Sequence, residues 1–374
     1  MKFDFLKFFN KQNSSVGLDI SDRSIKVLSL KRRKDKSLEI EGLGYGTIED
    51  GIVENGNILQ PEKLAEIISQ TLQETVPQPI QSKKILLAIP DSRTFIDIYK
   101  ISAGVIGKEL EKAIRDLASQ SIPLEQETLY FDFREIGYDK KTNEKEYLYV
   151  ASPKGTIDSY KKMLEFAGIE PLVFEFESAS LARALIEEKE KTKSIMIFDI
   201  GSRTTKLSIA YQGEVVSNAI VDFGGNKITK IVAQNLKLSF EEADRLKISM
   251  GLNNEAKENE VRDILQSFCP PVIGDVKSQI DYYEKNSGKT IDEIIICGGS
   301  SLIADIDKCL SEKVGKIVRK VNPWGKVGIA INPESDKIFN KEAPILFATV
   351  IGLALRGLET NPQDAGINLS DFNG

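Results

Sequence analysis

Residues 17–29 read GLDISDRSIKVLS and residues 197–209 read IFDIGSRTTKLSI. Aligned at an offset of 180 residues, they share Asp, Ile, Arg and Lys at 19/199, 20/200, 23/203 and 26/206. Each has an apolar run ending in Asp, a turn rich in hydroxyls and a second run, the pattern of two strands joined by a polar turn. One such turn alone is compatible with a plain hairpin, or with a loop that holds phosphate and a metal. The repeat bears on that choice. Its period is too long for a stacked-repeat protein, and it predicts two homologous domains facing each other across a cleft.

The chemistry of the turns agrees. Backbone N–H groups and hydroxyls hold phosphate oxygens. One carboxylate per turn reaches a Mg2+ ion, usually through water, and Lys26 adds a point charge for phosphate. A third element, IIICGGSSLI at 294–303, places Gly298 and Gly299 after a buried strand. The missing side chains there let the backbone approach a flat or bulky ligand group.

Composition narrows the function classes. A chain of 374 residues with 41% hydrophobic and 28% charged residues is a soluble globular composition of two or more domains. A net charge of -6 gives no basic footprint for nucleic acid. No His is present, so acid–base work falls to Asp, Glu, Lys or water. Cys269, Cys297 and Cys309 lack metal-ligand spacing and read as reduced, mostly buried thiols. The longest apolar run, APILFATVIGLAL at 343–355, is shorter than the ~18 residues of a membrane span and reads as a core helix. The N-terminal MKFDFLKFFNKQ lacks a signal-peptide pattern. It reads either as a short arm or as a weak membrane-surface or partner-binding segment.

Between these landmarks, Pro61 opens an amphipathic helix over 61–74. Strand, helix, two strands and helix over about 93–168 make a small α+β module, whose last helix is closed by Gly168. Pro270 and Pro271 are expected to kink or break the helix that begins near residue 261.

Taken in order, the two hairpins, a helical insert containing EEADRLK (241–247) and the strand–GGSS–helix element resemble the actin-like ATPase superfamily. Within it the chain is similar to the PilM proteins of type IV pilus assembly, with FtsA as a close cousin. The stretches that carry the PilM likeness are LLAIPD (86–91), ASQSIP (118–123), FEFESASLARAL (174–185), VNPW (321–324), IGLALRG (351–357) and INL (367–369).

The resemblance implies an α/β, actin-like ATPase fold: two homologous domains around a nucleotide cleft, with a small inserted α+β subdomain. An N-terminal arm (1–15) precedes a first domain formed by 16–92, 169–192 and 343–358. The inserted partner-binding subdomain is 93–168. The second domain is formed by 193–225 and 286–342, its helical insert is 226–285, and 359–374 is a C-terminal tail.

The implied ligands are ATP and Mg2+. Asp19 and Asp199 are the metal-side carboxylates, and Glu177 stands where a residue that polarises the attacking water is found. Ser21, Asp22, Arg23, Ser24 and Lys26 form the first phosphate turn, and Gly201, Ser202, Thr204 and Thr205 the second. Gly224 and Gly225 precede the helical insert. Asp244 and Lys247 match the ribose and adenine contacts, and Gly298, Gly299 and Ser300 the adenosine turn. The family has Gly where this chain has Ser21, and a small neutral residue where it has Asp22. A side chain at 21 blocks close backbone approach, and a carboxylate at 22 repels phosphate unless it points away. Nucleotide binding follows from the pattern, with hydrolysis weak at best.

The function implied is a cytoplasmic adaptor, peripheral at the inner face of the cytoplasmic membrane. A groove between the module and the first domain would accept the cytoplasmic N-terminal peptide of a PilN-like bitopic inner-membrane protein, a peptide containing Asn-Leu. Other pilus platform and motor proteins and self-association complete the expected partners, with no nucleic acid and only indirect membrane contact. The alternatives are an FtsA-like membrane-linked filament or division protein, and a sugar or acetate kinase of the same fold. The chain's own tail, GINLSDFNG at 366–374, is similar to the partner peptide. It reads either as a competitor for the groove or as an unordered end.

Overall fold

The computed structural model describes residues 13–252, 260–326, 328–330, 333–336, 338 and 343–369. Most of the expected N-terminal arm, up to residue 12, and the last five residues of the tail lie outside the described residues. The chain divides into two compact units: Met1–Ser180 with Trp324–Asn340 and Phe347–Gly374, and Leu181–Pro323 with Lys341–Leu346.

In the first unit, β1 (Ser14–Ile20), β2 (Ser24–Arg32) and β3 (Leu38–Thr47) form an antiparallel meander. A small hairpin, Val53–Glu54 with Asn57–Ile58, and helix α1 (Pro61–Gln73) follow. Strand β4 (Lys84–Ile89) returns parallel to β1. The module then supplies β5 (Phe95–Ser102), helix α2 (Gly107–Ser121), β6 (Leu129–Asp139), β7 (Glu144–Pro153) and helix α3 (Lys154–Phe166). Its sheet runs β5-β7-β6, all antiparallel. Ile114 and Ala118 of α2 join Tyr99, Tyr147 and Tyr149 of the sheet in one apolar cluster. Strand β8 (Glu170–Phe176) rejoins the first sheet parallel to β4 and forms its edge. Helix α4 (Glu177–Leu185) follows.

The apolar run at 343–355 is indeed core. It forms a 3-10 turn, Ala343–Phe347, and a C-terminal helix, Ala348–Gly357. That helix lies close on β1: a Cβ at Gly17 would stand 2.7 Å from the carbonyl oxygen of Val350. Gly17 is therefore a packing requirement, not a turn.

The second unit has β9 (Ile195–Ile200), β10 (Thr205–Tyr211) and β11 (Glu214–Val221) as a meander. Helices α5 (Gly225–Leu236), α6 (Phe240–Met250) and α7 (Glu260–Ser287) follow. Strand β12 (Glu293–Cys297) is parallel to β9. Helix α8 (Ile306–Val314) leads to β13 (Ile317–Lys320), parallel to β12. Met196, Phe198, Leu207, Ile209, Val276 and Ile296 lie in its core.

The two sheets have one plan. The first runs β8-β4-β1-β2-β3 and the second β13-β12-β9-β10-β11, with the same senses throughout. Even the ladder irregularity recurs 180 residues apart, at Ser29/Leu30 and at Ile209/Ala210. The internal repeat read from two hairpins therefore extends over five strands.

Of the expected kink or break at Pro270 and Pro271, the break is corrected. Helix α7 runs unbroken through Pro270 and Pro271. Prolines there remove the amide partners of the Gln266 and Ser267 carbonyls. Those two residues are exposed, on the side of the helix open to solvent, while buried Leu265, Val272, Ile273 and Val276 hold the helix down. Cys269, Cys297 and Cys309 form no disulfide: Cys297 is buried, and Cys269 and Cys309 are partly exposed.

The C-terminal helix carries one charge inside the core. Arg356 is fully buried, 2.7 Å from Oε1 of Glu175 on β8. Its other N–H groups donate to the carbonyls of Pro362, Gln363, Gly366 and Ile367. The other oxygen of Glu175 accepts from the Ser180 hydroxyl at 2.6 Å. Truncation of one partner strands the other charge in an apolar site. Arg356→Ala is expected to destabilise the first unit by ~3–5 kcal/mol, read as a lowered chemical-denaturation midpoint. A midpoint equal to wild type would contradict this role.

Candidate functional site

The β1–β2 ladder sets Asp19 opposite Lys26, and the β9–β10 ladder sets Asp199 opposite Lys206. Both form ion pairs at 3.2 Å. All four residues are mostly buried. Both turns close in the same way. The Ser21 N–H donates to the Ser24 carbonyl at 2.9 Å, and the Gly201 N–H to the Thr204 carbonyl at 3.1 Å.

In the first unit the Ser21 hydroxyl is folded into its own turn, 3.1 Å from the Ser24 carbonyl and 2.9 Å from the Ser24 hydroxyl. Asp22 turns to the hairpin at 53–58. Its two carboxylate oxygens accept from the N–H groups of Asn55 and Gly56, each at 3.1 Å. Arg23 pairs with exposed Asp50 at 2.8 Å.

That hairpin is gripped from its other side. Arg93 Nε donates to the Asn55 carbonyl at 2.8 Å, and Tyr160 of α3 donates to the Gly56 carbonyl at 3.2 Å. The Arg93 carbonyl accepts from Ser152 of β7 at 2.8 Å. A continuous chain of hydrogen bonds thus links the first turn to the inserted module. Tyr160 is fully buried, and burial holds its hydroxyl proton far above the usual phenol range. The negative charges of Glu177, Asp19 and Asp22 add to the effect. Glu177 opens α4. The next residue, Ser178, gives its N–H and hydroxyl to Asp91 Oδ1, both at 3.2 Å, so a carboxylate caps the helix start.

The second unit brings together the remaining sequence-predicted residues. Gly225 N–H donates to the Gly201 carbonyl at 2.9 Å, and Asn226 N–H to the Ser202 carbonyl at 2.8 Å. Thr205 donates to the Phe223 carbonyl at 2.7 Å. A Cβ at Gly225 would collide with the Ser300 hydroxyl, and one at Gly224 with the backbone of Arg203 and Ser202. Gly298 has φ +80, and a Cβ there would meet the Asp199 carboxylate. The second turn, the start of α5 and the Gly298–Gly299–Ser300 turn are therefore contiguous, at the C-terminal ends of β9 and β12.

Lys247 is buried with its amine 2.6 Å from Asp244, 2.9 Å from the Thr229 hydroxyl and 3.4 Å from the Gly225 carbonyl. It ties α6 to the start of α5. Asp244 keeps its side chain 40% exposed, leaving it the accessible member of the pair. Glycines that keep Cβ atoms out, one exposed carboxylate and a turn of hydroxyls suit a nucleoside phosphate. Among the described residues no three His, Cys, Asp or Glu side chains cluster as metal ligands; each hairpin offers one carboxylate.

Sequence reasoning missed Arg93, Ser152, Tyr160 and Thr229. Tyr160 occupied an apolar helix position, and the others carry no motif. Among the described residues no helix is long and apolar enough to cross a membrane.

A family model described as type IV pilus assembly protein PilM matches residues 17–358. The cell division protein FtsA of Bacillus subtilis is 22% identical over 277 residues, which covers 68% of this chain and 62% of that protein. The chain thus spans about six tenths of the length of that relative. Among solved structures, a PilM–PilN type IV pilus biogenesis complex superposes with a TM-score of 0.75 at 19% identity, covering 92% of this chain and 98% of that one. MreB5 of Spiroplasma citri bound to AMPPNP has a TM-score of 0.52 at 14% identity, covering 91% and 95%. The fold is the actin-like ATPase fold, and with the family model matching residues 17–358 the chain belongs to the type IV pilus assembly protein PilM family.

Proposed function

We propose that this chain is an ATP-binding cytoplasmic adaptor of the type IV pilus inner-membrane platform. It binds the cytoplasmic N-terminal peptide of a PilN-like membrane protein, and nucleotide modulates that binding. The observation that carries this reading is the chain of hydrogen bonds from Asp22, through Asn55 and Gly56, to Tyr160, Arg93 and Ser152. It joins a phosphate-type turn to the inserted module. Membership of the PilM family and likeness to a PilM–PilN complex support the partner.

In this reading the turn 201–204 in the second unit and the turn 21–24 in the first would each offer N–H groups and hydroxyls to ATP phosphates, and Mg2+ would supply charge neutralisation. Asp19 and Asp199 would each offer the metal a carboxylate, which Lys26 and Lys206 balance, and Asp244 would take the ribose. Gly298, Gly299 and Ser300 would border the adenosine. Glu177 would orient water, with hydrolysis slow. Asp22 faces away from the turn and does not repel phosphate. Recruitment to the inner face of the membrane goes through the partner, and other platform and motor proteins and self-association follow in the assembled machine.

Calorimetry with Mg-ATP tests the first step. Asp199→Ala removes a charged partner, and Gly298→Val fills the space beside it. Each is expected to weaken binding by about ten- to hundredfold, as loss of a charge-assisted contact does, with little phosphate release in any sample. Wild-type protein that binds no Mg-ATP overturns the nucleotide reading.

Coupling is tested separately. Tyr160→Phe removes the hydrogen bond to Gly56 and keeps the ring. Mg-ATP is expected to change the affinity of the PilN-like peptide by about 5–150-fold in wild type. The variant should bind nucleotide normally and lose most of that change. An unaltered nucleotide effect in Tyr160→Phe, and in Asp22→Ala, would refute the link.

The FtsA relatives favour a second reading, an FtsA-like membrane-linked filament. Sedimentation with and without Mg-ATP separates the two, since a filament pellets with nucleotide and an adaptor does not.

A further inference from the structure

Helix α7 packs on α8, and each helix puts one thiol into the seam. Cys269 of α7 and Cys309 of α8 both lie against the apolar cluster that holds Val232, Leu265 and Ile303. The two thiols interact directly, and each is the largest influence on the other's proton. Both are partly exposed, whereas Cys297 is 1% exposed. A thiol that only fills space in a core needs neither a second thiol beside it nor access to solvent.

The pair is asymmetric. Cys269 Sγ stands 3.4 Å from the Leu265 carbonyl, the contact of a protonated thiol that donates. The contact with Cys269, and then the positive charge of Lys313 one turn further along α8, hold the Cys309 proton below the usual thiol range, against burial and the charge of Glu312. The thiolate is the nucleophile in thiol–disulfide exchange, so Cys309 is the attacking sulfur and Cys269 the resolving one. The surroundings leave room for the sulfurs to close. An apolar cavity of about 40 Å³ is bordered by Phe268, Cys269, Ser300, Ile303 and Leu310. Pro270 and Pro271 follow Cys269 directly, at the point where α7 lacks two of its own hydrogen bonds.

We propose that Cys269 and Cys309 are a redox-sensitive modification site, which a small-molecule disulfide of the oxidised-glutathione class converts to a disulfide bond that fastens α7 to α8. The Cys309 thiolate attacks one sulfur of the small disulfide, forms a mixed disulfide and releases one small thiolate. Cys269 gives its proton to water, attacks the Cys309 sulfur and releases the second small thiolate. The protein dithiol is oxidised by two electrons, and the small disulfide is reduced to two thiols that take up both protons. In a reducing compartment such a bond is transient and acts as a sensor. Helix α8 follows the Gly298–Gly299–Ser300 turn, and α7 belongs with α5 and α6, which carry Gly225, Asp244 and Lys247. The bond thus joins the two elements that border the proposed nucleoside pocket, and oxidation changes its affinity for nucleotide. That last step rests on the nucleotide reading; the dithiol itself does not.

The test incubates the full-length reduced chain, Cys269→Ser and Cys309→Ser with oxidised glutathione. Free thiols are then alkylated under native conditions and the products mapped by mass spectrometry. Wild type is expected to lose both thiols to a 269–309 cross-link, with buried Cys297 unmodified as the marker of folded protein. Cys269→Ser should stop at the mixed disulfide on Cys309. Cys309→Ser should react at Cys269 about tenfold or more slowly, as the loss of the attacking thiolate requires. Dithiothreitol should restore the free thiols. Calorimetry before and after oxidation should show Mg-ATP affinity changed by about 5–150-fold in wild type, and unchanged in the Cys269→Ser, Cys309→Ser double variant.

Absence of the 269–309 cross-link in wild type overturns the proposal. So does a cross-link found only in molecules whose Cys297 is also alkylated, because it then forms in unfolded chains. If the cross-link forms and both states bind Mg-ATP equally, control of nucleotide is overturned and the dithiol site stands. If the cross-link forms and neither state binds Mg-ATP, the dithiol site is upheld and the nucleotide reading falls.

Discussion

A buried carboxylate opposite a buried amine sets the register of both hairpins: Asp19 with Lys26, and Asp199 with Lys206, each at 3.2 Å. A strand ladder that slips by one residue moves every side chain to the opposite face. Here a slip would also leave a carboxylate alone in an apolar layer, at a cost of several kcal/mol. The turn that follows each Asp is therefore pinned to one position at the end of its strand. The other site elements take their places from it. Gly298 is glycine because Asp199 occupies the volume a Cβ would need, and α5 starts where it does because the Gly201 and Ser202 carbonyls receive its first N–H groups.

The same turn is anchored in two ways. In the second unit β11 leads almost at once into α5, and main-chain N–H groups reach the turn's main-chain carbonyls. In the first unit the chain leaves β3 into a loop and the hairpin at 53–58. A side chain is then needed to span the gap, and Asp22 supplies it. Asp22 is therefore the anchor of the first turn to that hairpin. The consequence is that the first turn is tied to a hairpin also held by α3 and Arg93.

The strands, the Gly-rich turn, α1 and the module order were legible because each rests on local rules: alternation, a Pro at a helix start, a Gly after a buried strand. What was not legible depends on contacts between residues far apart in the chain. Tyr160 looks like one more apolar helix position until its hydroxyl meets Gly56. The prolines of α7 are tolerated where the residues whose carbonyls they free, Gln266 and Ser267, are exposed. The tail, ETNPQDAGINL at 359–369, has the composition of a loose end. Two residues did signal otherwise: Glu175 within VFEF and Arg356 within IGLALRG. A charge in a run that must be buried requires a partner, and the pair they form is the post around which the tail winds.

That post also holds the approach to the last described residues. Arg356 binds carbonyls of residues 362–367, groups that any sequence provides, and pairs with Glu175. Asn368 and Leu369 are fixed differently: the Asn368 carboxamide oxygen accepts from the Phe174 N–H, the Asn368 N–H reaches Asp132, and the Leu369 N–H reaches the Phe174 carbonyl. Only one of the guanidinium's carbonyl partners, that of Ile367, lies among residues 367–369, so the buried charge is satisfied mainly by the segment before them.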